Sequence, residues 1–380
     1  MIKKLLTLFI AIILPYLFCA RIFAQSNAKS VNGSELSSGD VSAKSAILID
    51  AHEGNVLFEK NSRERMGMAS TTKIMTALVT AEACGMNERV MIDTRSVGVE
   101  GSSIYLKVGE NLTVEQLLYA LLLNSANDAA TALAVHVSGS VEAFSQRMND
   151  RAISLGLCDT NFVNPHGLYD EEHYTTAYDL AVIAKEALRN DGLKKIFSTY
   201  KKTIPLDNGE GTRVLVNHNK LLRLYDGAIG MKTGFTKKTG RTLVSAAERD
   251  GLVLIAVTLN APNDWNDHTL MLDYGFENYT RVTLFSAGEL RYALEIGGGV
   301  SDHAILTNTQ DIAFTLKKEH SEAKRTIETC SRLICAPISA GAILGRVTFY
   351  CDGQSASSPL IAASDVPMRE EKNFFENFFK

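Results

Sequence analysis

The cysteines and histidines of this chain form no complete zinc-ribbon or finger pattern, and its eight histidines form no His-Glu-x-x-His string. Neither a metal centre nor a cofactor is therefore expected. Cysteine itself is scarce, six in 380 residues. If Cys19 leaves with an N-terminal leader, Cys84, Cys158, Cys330, Cys335 and Cys351 remain, an odd set that cannot pair fully. One disulfide within the Cys330, Cys335, Cys351 cluster is conceivable outside the cytosol, but buried thiols are the expectation. A basic excess is missing as well. Lys and Arg number 39 against 43 Asp and Glu, which argues against nucleic acid as a partner. No internal repeat is found, so a solenoid is excluded.

What is present is ample apolar material, 46% of the chain, enough for two domains with cores of their own. Lys3 and Lys4 precede an apolar stretch from Leu5 to Ala20, and Ala24 suits a cleavage site, so residues 1–24 read as a signal peptide. A retained anchor is the alternative, although the stretch falls short of the ~20 residues a span needs. Phe18 before Cys19 argues against lipid attachment there. Removing Lys3, Lys4 and Arg21 takes the net charge from −4 to −7. Residues 25–44, rich in Ser, Gly and Asn, read as a flexible tether.

Beyond the tether, Ser45–Asp50 and Val56–Lys60 flank a glycine turn in the pattern of a hairpin. Helical patterns follow from Ser70 and over 114–123, 129–137, 141–155 and 177–188. From Gly227 the texture changes to strands over 228–235, 241–248 and 252–260, closed by one helix at about 267–274. These elements predict an α/β fold, an antiparallel sheet flanked by helices together with a helical cluster, rather than a doubly wound sheet. A catalytic domain is placed at 45–284. A small β-rich domain is placed at 285–365, with strands expected at 296–300, 333–335 and 343–351.

Chemistry is carried by three short strings. The first is Ser70-Thr71-Thr72-Lys73, which puts a hydroxyl and an amine on one helical face and lets the amine activate the serine. Ser-x-x-Lys occurs four times in the chain, and what singles out Ser70 is the apolar run behind it. The helix start also favours negative charge on the serine oxygen and supplies an N–H for an oxyanion. The second string is Ser125-Ala126-Asn127, in a polar break between two helices. The third is Lys232-Thr233-Gly234 in a strand, where a missing side chain lets an extended substrate lie along the edge. A second Lys-Thr-Gly, Lys238-Thr239-Gly240, falls between two strands and is expected to be their hairpin turn.

In this order the strings resemble the penicilloyl serine transferases, and in finer detail the low-molecular-mass D-alanyl-D-alanine carboxypeptidases. Ala46–Ala51, Ala69–Thr76, Asn124–Asp128, Asn164–Leu168 and Gly230–Thr236 carry the likeness over 45–280. Looser matches at Cys335-Ala336-Pro337 and Gly345-Arg346-Val347 extend it into the β domain.

The resemblance implies a β-lactamase/transpeptidase-like fold and a substrate, the peptidoglycan stem peptide, whose terminal D-alanine is removed through a Ser70 acyl-enzyme. β-Lactam antibiotics are the implied inhibitors. Lys73 is the general base, Ser125 a proton relay, Asn127 a contact to substrate or Lys73, and Lys232 the second cation. Lys232 and Thr233, with Gly234 and Thr236, hold the substrate end, while the backbone of Ser70 and Phe235 forms the oxyanion hole. For Lys73 to act as a base its pKa must fall by ~3 units, about 4–5 kcal/mol of differential interaction, from burial and from Lys232.

One departure is visible. Some relatives place an arginine after the third strand, where this chain reads Asn263-Asp264-Trp265-Asn266-Asp267-His268. Trp265 reads as packing, His166 as support for a shaped turn, and Glu171, Glu172 and His173 as a solvated loop. The tail at 366–380 sets Phe374, Phe375, Phe378 and Phe379 on one stripe, suited to a membrane surface or to docking on the β domain. A serine β-lactamase is a rival reading, but no Glu-x-x-Leu-Asn segment is evident. A non-catalytic penicillin sensor is another, against which the intact strings argue.

Overall fold

Every residue of Leu252–Leu259 is buried, because this strand lies mid-sheet with helices on both faces. The computed structural model describes residues 35–370 apart from 207, 208 and 210. In chain order the first strands are β1 (Ser45–Asp50), β2 (Val56–Lys60), β3 (Arg89–Met91), β4 (Asn111–Thr113), β5 (Lys201–Pro205) and β6 (Thr212–Val216). Then come β7 (Ala228–Thr236), β8 (Gly240–Arg249) and β9 (Leu252–Leu259). β3 with β4 and β5 with β6 make two small ribbons. The main sheet is antiparallel in the order β2-β1-β9-β8-β7, so β7 is an edge strand.

The period of two along β1 and β9 divides the core between the two faces. Ile47, Ile49, Ile255, Val257 and Leu259 join the larger cluster, while Ala46, Leu48, Leu252, Leu254 and Ala256 join the smaller one. The larger cluster is completed by α1 (Lys73–Ala83), α2 (Val114–Leu123), α3 (Asn127–Ser138), α4 (Val141–Ser154), α5 (Ala177–Leu188) and α6 (Asp191–Phe197). Each large aliphatic side chain so buried contributes about 1.5–3 kcal/mol. After the single turn α7 (Leu221–Leu224), α8 (Asp264–Asn278) covers the opposite face. A Cβ on Gly275 would stand 2.4 Å from Leu254 Cδ1, so the missing side chain sets how closely α8 approaches the sheet.

Local signals explain the helix limits. Thr113 accepts from the Gln116 amide at 3.1 Å, and Gln116 Oε1 accepts from the Thr113 amide at 2.8 Å, a capping box that starts α2. Gly139, left-handed at φ 80°, ends α3.

The second unit is all β: β10 (Tyr279–Phe285), β11 (Tyr292–Glu295), β12 (His303–Asn308), β13 (Ile312–Lys317), β14 (Lys324–Thr329), β15 (Ile343–Cys351) and β16 (Gln354–Ala362). β10 pairs with β13, and the rest form a sheet in the order β11-β12-β16-β15-β14 around a separate apolar cluster.

Several sequence expectations need correction. The β unit begins at Tyr279, not 285, because β10 pairs with β13. The expected strands at 296–300 and 333–335 are isolated bridges, Gly297 to Cys335 and Gly299 to Met368. The described part of the expected tether is packed: Leu36, Val41 and Ala43 are buried, and Asp267 accepts from Ser42 N, Ser42 Oγ and Ala43 N at 2.8–3.0 Å. Three sparse apolar side chains and one buried carboxylate outweigh a polar composition there. The five cysteines are unpaired, and Cys158, Cys330 and Cys335 are exposed rather than buried. The leader, the rest of the tether and the phenylalanines of the tail lie outside the described residues. Among the described residues no helix is long and apolar enough to cross a membrane.

Candidate active site

Ser70 sits in a 3-10 turn, Ala69–Thr72, and not in the first turn of an α-helix as the sequence suggested; α1 begins at Lys73. Three residues per turn places positions i and i+3 almost one above the other. Lys73 Nζ accordingly lies 3.0 Å from Ser70 Oγ. The same nitrogen lies 2.7 Å from Asn127 Oδ1 and 2.6 Å from the His166 carbonyl oxygen. Three acceptors match the three protons of an ammonium. With two protons kept on Asn127 and His166, the neutral amine turns its lone pair to the serine.

Two causes push the Lys73 pKa well below its ordinary value: first its complete burial, then the charge of Lys232, opposed by Asp128. Lys232 is itself buried and lowered to about 7 by desolvation; its Nζ donates to the Thr233 carbonyl at 2.8 Å. The hydroxyl and the first amine are thus in contact, and the second amine is close enough for its charge to be felt.

The turn around Ser70 is held from outside. Thr72 Oγ1 donates to the Ala69 carbonyl at 2.7 Å, while His173 Nε2 stands 2.8 Å from Thr72 Oγ1. His173 Nδ1 accepts from the Val163 amide at 3.1 Å, which puts its ring proton on Nε2, facing Thr72. Burial lowers His173 to about 4, so it stays neutral. The expected solvated loop is therefore corrected: Glu171 and Glu172 are exposed, but His173 is a buried strut. His166 meets Lys73 through its backbone, and its ring, lowered to about 3 chiefly by burial, is neutral as well.

Ser125 occupies the break between α2 and α3 with φ 59°, a left-handed conformation that costs a non-glycine residue roughly 1–2 kcal/mol. Asn127 is not in that break but opens α3. Its Nδ2 donates to the Glu100 carbonyl at 2.5 Å and its amide to the Ser102 carbonyl at 2.7 Å. Neighbouring Asp128 accepts from Ser103 Oγ at 2.6 Å and from the Leu106 amide at 3.0 Å, fixing the loop that brings Ser102 to the cleft.

Gly234 has a different reason from the one expected. A Cβ there would stand 2.4 Å from Thr242 Oγ1 and 2.9 Å from the Ser70 amide nitrogen. The glycine lets β7 press against the Ser70 turn, and the outer edge of β7 remains open. Thr236 accepts from the Thr239 amide at 3.0 Å, capping the hairpin turn that contains the second Lys-Thr-Gly. Gly240 takes the positive φ, 75°, at that turn.

Ser70, Ser125, Thr233, Gly234 and Phe235 line one cleft of about 370 Å³. Ser102, His218, Arg241, Asp264 and Trp265 line it too, and the sequence pointed to none of them as site residues. Arg241 lies opposite Phe235 in the β7–β8 register, and its Nη2 is 2.9 Å from Oδ2 of buried Asp264. The hairpin register was the available signal: a turn at 237–239 folds residue 241 back beside residue 235. His218 had none, since it depends on a loop shaped by Asn217, which accepts from the Asn219 amide at 2.9 Å.

The family model described as D-alanyl-D-alanine carboxypeptidase (Peptidase S11) matches residues 29–263. The model of the penicillin-binding protein 5 C-terminal domain matches 279–368. D-alanyl-D-alanine carboxypeptidase DacF of Bacillus subtilis is 36% identical over 96% of this chain and 95% of its own length. DacA of Escherichia coli, with the same description, is 30% identical over 94% of this chain and 91% of its own. Among solved structures, penicillin-binding protein 5 from Haemophilus influenzae superposes with a TM-score of 0.72 at 29% identity, covering 88% of this chain and all of that one.

Proposed function

Because the chain belongs to the D-alanyl-D-alanine carboxypeptidase family, we propose that its cleft removes the terminal D-alanine of peptidoglycan stem peptides by way of a Ser70 ester. The observation that carries this reading is the 3.0 Å contact between Lys73 Nζ and Ser70 Oγ beneath the open edge of β7.

Neutral Lys73 takes the Ser70 proton as Oγ attacks the carbonyl of the penultimate residue. The tetrahedral oxyanion is received by the amides of Ser70 and Phe235. The carbon–nitrogen bond then breaks, and the departing amine takes a proton relayed from Lys73 through Ser125. Water afterwards hydrolyses the ester. An extended substrate pairs with the β7 edge, and Lys232 with Thr233 meets its terminal carboxylate. Asn127 keeps Lys73 aimed at the hydroxyl. A β-lactam enters the same path through its strained amide, but its leaving nitrogen stays tethered and the ester persists.

Substrate chemistry and the basic, apolar composition of residues 1–24 support export, with action outside the cytoplasm. The phenylalanine stripe at 374–379 supports seating at a membrane surface.

Release of D-alanine from a stem pentapeptide tests the activity, and labelled penicillin followed by peptide mapping tests the nucleophile. Label on the Ser70 peptide is expected, with both adduct and release abolished in Ser70→Ala. Release that survives this substitution overturns the reading.

A further inference from the structure

The near ends of α1 and α3 carry Lys73 and Asn127, and their far ends meet well away from the cleft. Cys84 caps α1 at its C-terminus, donating its amide to the Thr80 carbonyl. His136 lies in the last turn of α3, and Glu88 stands just before β3. His136 Nε2 is 2.9 Å from Glu88 Oε1, and Cys84 stands close enough to Glu88 for the carboxylate's charge to be felt at its thiol. One sulfur, one carboxylate oxygen and one imidazole nitrogen all lie within 4.8 Å of one another.

We propose that Cys84, Glu88 and His136 form a binding site for a zinc-class divalent cation, with water as the fourth ligand. Thiolate, imidazole and carboxylate are the donors such an ion takes, and three protein ligands with one open position suffice for it. At bond lengths of about 2.0–2.3 Å, tetrahedral donors stand roughly 3.3–3.8 Å apart, so closing from 4.8 Å needs side-chain rotation on the order of 1 Å. The His136–Glu88 contact already turns two of the three groups toward one point, with the sulfur within 4.8 Å of both.

Proton balance is simple. Burial first, then the Glu88 charge, push the Cys84 thiol up, whereas Arg147 pulls it down. The thiol is therefore protonated, and forming the metal–sulfur bond releases one proton. His136 coordinates through a ring nitrogen that carries no proton, the N–H lying on the other nitrogen. The two anionic ligands then offset the ion's two charges.

Spacing hid this site. Cysteine and glutamate are four residues apart, the histidine follows 48 residues later, and only the packing of α1 on α3 brings them together. The bound ion would clip the distal ends of the two helices whose proximal ends hold the catalytic amine and its amide partner.

Cobalt(II) titration of the full chain tests the proposal, in a background where exposed Cys158, Cys330 and Cys335 are changed to Ser. A sulfur-to-cobalt charge-transfer band is expected to saturate at one equivalent. Cys84→Ser should abolish it, and His136→Gln should weaken cobalt binding 10–100-fold. Zinc should raise the melting temperature of the background protein by several degrees and leave Cys84→Ser unmoved. No band, a band that survives Cys84→Ser, or cobalt affinity unchanged in His136→Gln overturns the proposal.

Discussion

Gly167 lies against Ala69 so closely that a Cβ on it would stand 1.9 Å from the Ala69 carbonyl oxygen. Its φ of 85° disfavours any side chain in addition. Ala69 has its own positive φ, 46°, and directly precedes Ser70, so displacing its carbonyl turns that serine away from Lys73. Gly167→Ala is expected to slow penicillin acylation by on the order of 10²-fold. The backbone must shift as well, so the melting temperature should fall. Acylation within about threefold of wild type would show that the turn tolerates the displacement.

Asn127 supplies the oxygen 2.7 Å from Lys73 Nζ. Asn127→Asp keeps the shape but places a carboxylate there, which favours the ammonium and raises the Lys73 pKa. At neutral pH the base is then occupied by a proton. Acylation should drop roughly 10²–10³-fold at pH 7, on the scale of a lost general base, and recover as pH rises. Asn127→Ala loses the same contact without adding charge, so its pH–rate profile should not move upward. The two profiles, measured with one β-lactam, decide the matter.

The order of strings along the chain made the meeting of Ser70, Lys73 and Asn127 legible, because each string depends on residues a few positions apart. Most helix limits were legible for the same reason, as in the Thr113–Gln116 box. Arg241, His218 and Asp264 were not, since they reach the cleft through a strand register and loop closure that no local window contains. His173 misled for a related reason. Two exposed acids beside it read as a solvated loop, while the fold buries the ring under Thr72. In the β unit, strands such as β14 carry mostly exposed side chains and lack an apolar signal of their own.

Arg241 is the unanticipated cation of the cleft, partly exposed and tied to Asp264. It stands beside β7, the strand proposed to meet the substrate carboxylate. Arg241→Ala is expected to raise KM for a D-alanyl-D-alanine substrate about tenfold while leaving kcat within about twofold, the mark of lost uniform binding. The change also leaves the Asp264 carboxylate buried without its partner, at a cost of about 1–3 kcal/mol. Adding Asp264→Asn should restore the stability and not the KM. A KM restored along with stability would mean that Arg241 acts only through the fold.

Lys232 is a site residue whose charge works against folding. Its pKa is lowered to about 7 in the folded chain, whereas the unfolded chain keeps the ordinary value of 10.5. Between those limits the unfolded state holds a proton that the folded state has released, so wild-type stability gains with rising pH. Below about 7 both states are protonated, and the burial penalty is constant. Lys232→Met has no such penalty and should be the more stable protein at pH 6, though catalytically dead. Its advantage should shrink by roughly 2–3 kcal/mol between pH 7 and pH 9, at 1.36 kcal/mol per unit for one proton. Losing the Lys232 charge also lets Lys73 keep its proton to higher pH, which flattens the variant's own curve and widens the contrast. Urea midpoints of both proteins at pH 6, 7 and 9 measure the gap. An advantage that stays constant across that range would mean that Lys232 is charged throughout and that burial does not lower its pKa.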